Sequence, residues 1–423
     1  MDMKPIRICH FSTVHRGVEI RIVRKELASL AAAGYDAHAV IAATPEEVAE
    51  AAKLGVTIHP LQERPGAGRV SRMTRKMYDA WRQCRAVDAQ LYHFHDPELI
   101  PLGLLLKLSG RKVVIDVHED LANQILTKHW IPAPIRKVVS RLARGMERIA
   151  ARRLDGTVVA ASKLGPFFED VARRLMVVHN YPLLSELASP PTEEEANLPL
   201  SELVKKLPPA THVAYVGGIS RIRGIYEAVA AVEKADVGLV LAGTFKTKAE
   251  RDQAAAMSGW SRVDELGWVE RDGIRAALQR SFAGLCTLHP TPNHVSAEPI
   301  KLLEYMAAGI PSIVSDIPDW VEFVEKHDIG LCVDPMDVDA IAKAIVTLRD
   351  DPERRAQMGR NGQKAVMEQY NWNTQAKRLE ALYEEILKPG GPPPRGGGGG
   401  ALPYPRPVRI AIDRRILAVD TPD

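Results

Sequence analysis

Residues 285–319 read LCTLHPTPNHVSAEPIKLLEYMAAGIPSIVSDIPD. An apolar strand, a loop rich in proline and histidine, a helix opening at Pro299, a stop at Gly309 and a second apolar strand at Ile313 and Val314, ending at Ser315 and Asp316, make one βαβ unit. Proline suits a first helical turn because its missing N–H would be unpaired there anyway. The N–H groups around Ile300 and Lys301 then point back into the loop, and such a helix mouth attracts phosphate. Lys301 is a cation in the turn where the helix dipole disfavours one, which makes sense beside a bound anion. Glu304, one turn on, offers a carboxylate to sugar hydroxyls. The same pattern also fits an ordinary amphipathic helix with solvated charges.

Outward from this unit, apolar strands alternate with helical patterns, which predicts parallel sheets covered by helices. Upstream, a strand over residues 212–216 runs into the glycine-rich turn GGISRIRGIYEAV. Gly217, Gly218 and Gly224 allow close backbone approach there, and Arg221 and Arg223 are placed to hold phosphate oxygens at the start of a helix over residues 225–234. The dinucleotide fingerprint G-x-G-x-x-G is absent, and alone this turn is equally an ordinary structural one. Further strands are expected at 237–242, 263–266, 283–286 and 330–333, with helices at 338–349 and two more before Lys388.

The first half repeats the plan. A strand over residues 6–11 feeds the loop STVHRGVEIR, a helix over 22–33 and a strand over 37–42. Loops at the carboxyl ends of parallel strands are where open sheets bind ligands, so Ser12, His15, Arg16 and Gly17 lie on the working edge. A later strand ends in His93-Phe94-His95-Asp96, and another, over 113–117, ends in His118-Glu119-Asp120. One histidine at a strand end is usually structural, but two strands that deliver histidine and carboxylate to the same edge read as an active-site rim. Strands at 156–160 and 176–179 complete this sheet.

The 423 residues are long enough for two cores, and 46% hydrophobic with 26% charged residues is ordinary globular composition. The formal charge of +3 hides an asymmetry: residues 1–182 carry 28 Lys+Arg against 19 Asp+Glu, or +9, and the rest is −6. Residues 128–153 hold eight Lys/Arg and one Glu, with Ile135, Val138, Val139, Leu142 and Met146 on one helical face. Such a helix either rests on anionic lipid or packs on the sheet with a wet basic face; the basic stretch 64–85 joins it. Cys9, Cys84, Cys286 and Cys332 are scattered without metal-ligand spacing, which reads as reduced, cytosolic usage. No apolar run is long enough to span a bilayer, and no signal-peptide pattern opens the chain, so membrane contact is expected to be peripheral, on the inner face. The divisions are residues 1–182, a Pro- and Glu-rich connection 183–210, a second domain 211–371, a helix 372–388 and a low-complexity tail 389–423.

The STVHRGVEIR loop, HFHDPELIP, VIDVHED, YVGGISRIRGI and EPIKLLEYMAAGIPSIVSD, in this order over residues 5–388, resemble the family 4 glycosyltransferases of the GT-B superfamily. The resemblance implies an α/β fold of two Rossmann-like, doubly wound parallel-sheet domains with a cleft between them, the last helix crossing back to the first domain. It implies a nucleotide-sugar donor in the second domain, a carbohydrate or lipid-linked acceptor in the first, and retention without a metal or other cofactor. No nucleic-acid partner is expected.

Glu304 matches the second glutamate of the family's Glu-x7-Glu motif, which holds the ribose; the first falls on Ser296, with Glu298 two places on. Arg223 falls where the family has the lysine that grips the diphosphate. The family's phosphate arginine falls on Gly218, which passes that task to Arg221 or Lys301. His118 matches the histidine beside the anomeric centre, and Gly17 the loop glycine near the diphosphate. The expected catalytic set is His118, Arg223, Lys301 and Glu298. The donor set adds Gly17, Gly218, Arg221, Asn293, Ser296, Ala297, Ile300 and Glu304; the acceptor rim is His15, Arg16, His95, Asp96 and Glu119. Competing readings are an inactive nucleotide-sugar-binding scaffold and a GT-B sugar-nucleotide epimerase.

Overall fold

The computed structural model describes residues 5–61, 69–127, 131–184, 211–269, 271–291, 294–295 and 299–388. Asn293, Ser296, Ala297 and Glu298, the 185–210 connection and the 389–423 tail lie outside the described residues.

The chain divides into two compact units: one holds the described residues up to Asn180 together with those from Trp372 onward, the other Tyr181–Asn371. The first unit contains a seven-stranded, all-parallel sheet. Its strands are β1 (Arg7–Arg16), β2 (Asp36–Ala42), β3 (Val56–Pro60), β4 (Leu91–Phe94), β5 (Lys112–Val117), β6 (Gly156–Val159) and β7 (Leu175–Val177), in spatial order 3-2-1-4-5-6-7. The second unit contains a six-stranded parallel sheet of β8 (His212–Val216), β9 (Gly238–Ala242), β10 (Val263–Gly267), β11 (Ala283–Cys286), β12 (Ser312–Ser315) and β13 (Gly330–Val333), in order 10-9-8-11-12-13. The order in which the chain adds strands reverses between β1 and β4 and between β8 and β11, while all strands stay parallel. At such switch points the loops leaving the two carboxyl ends splay apart and open a crevice.

The central strands are buried on both faces, as short Val/Ile/Leu/Ala runs in parallel sheets require. In the second unit Leu239, Leu241, Ile313, Ile341 and Ile345 pack on one face of the sheet. Val216, Cys286, Leu302, Met306 and Val314 pack on the other. In the first, Phe11, Tyr92, Phe94, Ile115 and Val117 form one face; the opposite face of the same strands carries the polar groups described below.

Two local readings change. The predicted strand over 6–11 continues to Arg16, and the helix predicted over 22–33 is a run of π-helical turns at Ile20–Leu27 followed by a short α-helix at Ala28–Ala32. The wider turns let both Arg21 and Glu26, each fully enclosed, face the sheet. A helix at Pro45–Lys53 with a Thr44/Glu47 capping box, and β3 after it, were signalled by Thr-Pro-Glu-Glu but not read from the sequence.

Candidate active site

At the carboxyl edge of the second sheet, β8 ends in Gly217 and Gly218, both exposed, and the chain turns through Arg221–Arg223 into the helix Ile225–Ala235. Gly224 makes that turn at φ 77°, with the Thr287 carbonyl so close that a Cβ would lie 2.1 Å from it. Only glycine combines this backbone with this approach. Across the switch point, β11 runs into Thr287 and His289; the His289 N–H donates to the Ile222 carbonyl at 3.0 Å and ties the two loops together. Neither Gly224 nor Pro299 provides a side-chain cap for the helix it opens, Ile225–Ala235 and Ile300–Ala308 respectively.

Lys301 lies in the first turn of the second of these helices. It is buried, its Nζ sits 4.0 Å over the Tyr215 ring, and Nζ has no hydrogen-bond partner among the described residues. The Tyr215 hydroxyl donates to the Arg223 carbonyl at 2.9 Å, so one tyrosine of β8 supports both cations. Burial pulls the Lys301 ammonium down to about 8; Arg223 pushes the same way, against Glu304 one turn further along. Arg223 is half-buried, with Nη1 3.4 Å from the Gly218 carbonyl. The structure thus brings Gly218, Arg223, Lys301 and Glu304 to one edge. Arg221 and Ile300 are exposed there, and the Arg221 N–H donates to Glu250. His294 donates from Nδ1 to the His289 carbonyl at 2.8 Å, and burial, with Arg223 and Lys301 nearby, keeps its ring neutral-leaning.

In the first unit the expected rim divides. His118 is half-buried and Glu119 exposed beyond the end of β5; His15 is half-buried and Arg16 exposed at the carboxyl end of β1. His95 and Asp96, expected on the rim, are enclosed instead. Asp96 is held inward because it accepts from Ser12 Oγ and the Thr13 N–H, both at 2.7 Å. It organises the carboxyl half of β1 rather than presenting a carboxylate. Gly17, at φ 59°, donates its N–H to the Ala42 carbonyl, and a Cβ there would strike the Glu47 carboxylate.

Beneath His118 lies a polar layer. Its Nε2 is 3.0 Å from Asp116 Oδ2 and 3.3 Å from His95 Nδ1. Asp116 takes a bidentate pair from Arg21, at 2.9 and 3.1 Å, and the third Arg21 bond goes to the Val178 carbonyl. Burial would raise the Asp116 pKa, but Arg21 and His118 outweigh it and hold the carboxyl well below the usual range. Burial raises Glu26 and lowers His10, His93 and His95. Asp116, Arg21, Glu26 and His10 were not read from the sequence as site residues, though a polar side chain inside an all-apolar parallel strand such as VVIDV was the available signal; His93 was read only as part of its strand end.

Ile135, Val138, Leu142 and Met146 of the basic helix Ala133–Arg153 are exposed, as is Ile149; the face that packs inward is built from Ser140, Ala143, Glu147 and Ala150. Of the two readings left open for this helix, the apolar stripe is not the face that covers the sheet.

Two parallel-sheet α/β units, each with a switch point at its carboxyl edge, are the GT-B fold. Residues 17–180 match the family described as "Glycosyl transferase 4-like domain", and residues 202–365 match "Glycosyl transferases group 1". This chain belongs to the family 4 type of GT-B glycosyltransferases. The D-rhamnosyltransferase WbpZ of Pseudomonas aeruginosa is 27% identical over 286 residues, 66% of this chain and 69% of that one. A "GDP-mannose-dependent alpha-(1-6)-phosphatidylinositol monomannoside mannosyltransferase" of Mycobacterium tuberculosis is 35% identical over 119 residues, 28% of this chain and 31% of that one. In fold, the chain is similar to HepE of Anabaena, solved in complex with UDP: TM-score 0.65 at 15% identity, over 90% of this chain and 99% of HepE.

Proposed function

We propose that this glycosyltransferase moves a hexose from a nucleotide-sugar to a carbohydrate or lipid-linked acceptor with retention of configuration, in cell-envelope or exopolysaccharide synthesis. The observation that carries the reading is the buried Lys301 ammonium, unpartnered among the described residues, beside Arg223 at two uncapped helix starts. A buried cation without an anion is costly, and a diphosphate supplies the missing charge. A UDP-sugar is the first candidate donor, as the UDP complex of HepE suggests, and GDP-mannose the second, from the name of the mycobacterial relative.

In this mechanism Arg223 and Lys301, with Arg221 and the helix N–H groups, neutralise the departing diphosphate, so no divalent cation is needed at that point. Glu304 holds the ribose and His118 meets the donor sugar, with Asp116 fixing its ring. The leaving phosphate takes the acceptor proton on the same face, which gives retention. Asn293, Ser296, Ala297 and Glu298 belong to the donor loop in this reading, and His15, Arg16 and Glu119 to the acceptor side.

The exposed stripe of Ile135, Val138, Leu142, Met146 and Ile149, set among Lys137, Arg141 and Arg148, supports a peripheral site on anionic lipid at the cytoplasmic face. Among the described residues no helix is long and apolar enough to cross a membrane.

The test is turnover of UDP- and GDP-sugars with sugar and polyprenyl-linked acceptors, the product anomer being read by NMR. Retention, no stimulation by added Mg²⁺ or Mn²⁺, and a loss of about 100-fold or more in Arg223→Ala are expected. An inverted product, an isomerised donor without transfer, or near-normal turnover in a folded Arg223→Ala protein overturns the proposal.

A further inference from the structure

Three adjacent strands of the first sheet present polar side chains to one face. His10 of β1 stands opposite His93 of β4 in the parallel register; His95 is two residues beyond His93 and so shares its face. Glu26 reaches the same space from the π-helical turns. All four side chains are fully enclosed, and one donor atom from each lies within 4.8 Å of the other three. His10 Nδ1 is 3.0 Å from His95 Nε2 and 3.5 Å from Glu26 Oε2, and His95 Nε2 is 3.8 Å from Glu26 Oε2. Four ligands about 2.0–2.1 Å from a tetrahedral ion stand about 3.3 Å apart. The three separations among His10, His95 and Glu26 lie close to that value, and His93 offers a ring nitrogen within 4.8 Å of each of them.

The remaining contacts orient these groups. His93 Nε2 and Glu26 Oε2 are buried and have no hydrogen-bond partner among the described residues; buried polar atoms are normally paired, so two such atoms facing one space mark a missing partner. The other ring nitrogens are occupied. His10 Nε2 and His93 Nδ1 each lie 2.8 Å from the Tyr383 hydroxyl, and His95 Nδ1 lies 3.2 Å from Asp116 Oδ2. Arg21 Nε lies 3.1 Å from Glu26 Oε1. This is the outer arrangement that fixes imidazole ligands, each ring held by its far nitrogen while its near nitrogen meets the ion.

We propose that His10, Glu26, His93 and His95 bind one divalent transition-metal ion, with Zn²⁺ the best match to three imidazoles and a carboxylate in a closed four-ligand set. The ion is structural. It joins β1, β4 and the Ile20–Leu27 turns, with no position open to substrate, and it is separate from the diphosphate, for which no metal is proposed. The neighbouring triad His95, Asp116 and His118 shares one residue with this set and is the alternative location.

Tag-free full-length protein stripped with a chelator and titrated with Zn²⁺ alone is expected to bind one equivalent and to melt at a higher temperature. Co²⁺ in its place is expected to give the intense visible bands of a tetrahedral ion. Glu26→Gln and His93→Ala are expected to weaken binding by about 100-fold or more, whereas His118→Ala retains it. X-ray absorption of the Zn²⁺-loaded wild type reads the donors without any variant: nitrogen and oxygen at about 2.0–2.2 Å, four in number. No stoichiometric binding, a six-coordinate watery shell, full affinity in folded Glu26→Gln and His93→Ala, or loss of binding in His118→Ala would each overturn the assignment.

Discussion

Lys301 shows what a buried cation costs a fold. Its ammonium titrates at about 8 in the ligand-free protein, against an ordinary 10.5, chiefly because it is buried. Between those values the unfolded chain holds the proton and the folded chain does not, so stability rises with pH from about 8 towards 10.5; below 8 the full cost, about 3 kcal/mol, is in place. Lys301→Met is therefore expected to raise the denaturation midpoint at pH 7 while abolishing tight diphosphate binding; an unchanged or lower midpoint would show that the ammonium is not a burden. Wild-type affinity for UDP is expected to fall about tenfold per pH unit above pH 8, where binding must first restore the proton. A flat affinity profile from pH 7 to 10 would exclude a protonated Lys301 from the contact. Lys301 and Arg223 were legible in the sequence as a cation in a first helical turn and as an arginine in a glycine-rich turn. The Tyr215 ring between them was not, because a tyrosine in a buried strand reads as core until the neighbouring loops are placed.

Elements set how these residues meet. The Arg221–Arg223 turn approaches Thr287 through Gly224, whose left-handed backbone costs any other residue about 1–2 kcal/mol before the steric clash. Gly224→Ala is thus expected to lose at least that much stability and to weaken UDP binding with no charge removed; equal stability by chemical denaturation would contradict the close approach. In the helix Ala133–Arg153, Leu142→Asp with Met146→Asp is expected to reduce binding to anionic vesicles by more than tenfold and to leave transfer to a soluble acceptor intact. Unchanged vesicle binding would remove this stripe from consideration. The sequence shows the stripe's apolar period but not its outward direction, because the inward face, with Ala143, Glu147 and Ala150, is less apolar than the outward one. The strand ends at His95-Asp96 and His118-Glu119 were readable as a concentration of chemistry. Their depth was not: Asp96, just past β4, lies against the carboxyl half of β1, where it accepts from Ser12 and Thr13. A period-two reading of His10/Ser12, His93/His95 and Asp116/His118 across three neighbouring strands would have found the polar face, had the strand order been known.

At the scale of the whole chain, alternation of apolar strands and helices was enough to give two parallel sheets, since only crossover helices can join such strands. The positions of the working edges follow from strand order, 3-2-1-4-5-6-7 and 10-9-8-11-12-13, which places both switch points at the strands whose loops carry the sequence motifs. Local pattern does not encode that order, and the motifs acquire their meaning from it. In the proposed function, the β8/β11 edge of the second unit binds the donor diphosphate through Arg223 and Lys301. Calorimetric titration of UDP and GDP into the wild type, Arg223→Ala and Lys301→Met tests it most directly. The account predicts saturable binding of at least one nucleotide by the wild type and about 10- to 100-fold weaker binding by each folded variant; wild-type affinity in both variants, or no binding of either nucleotide by the wild type, would contradict it.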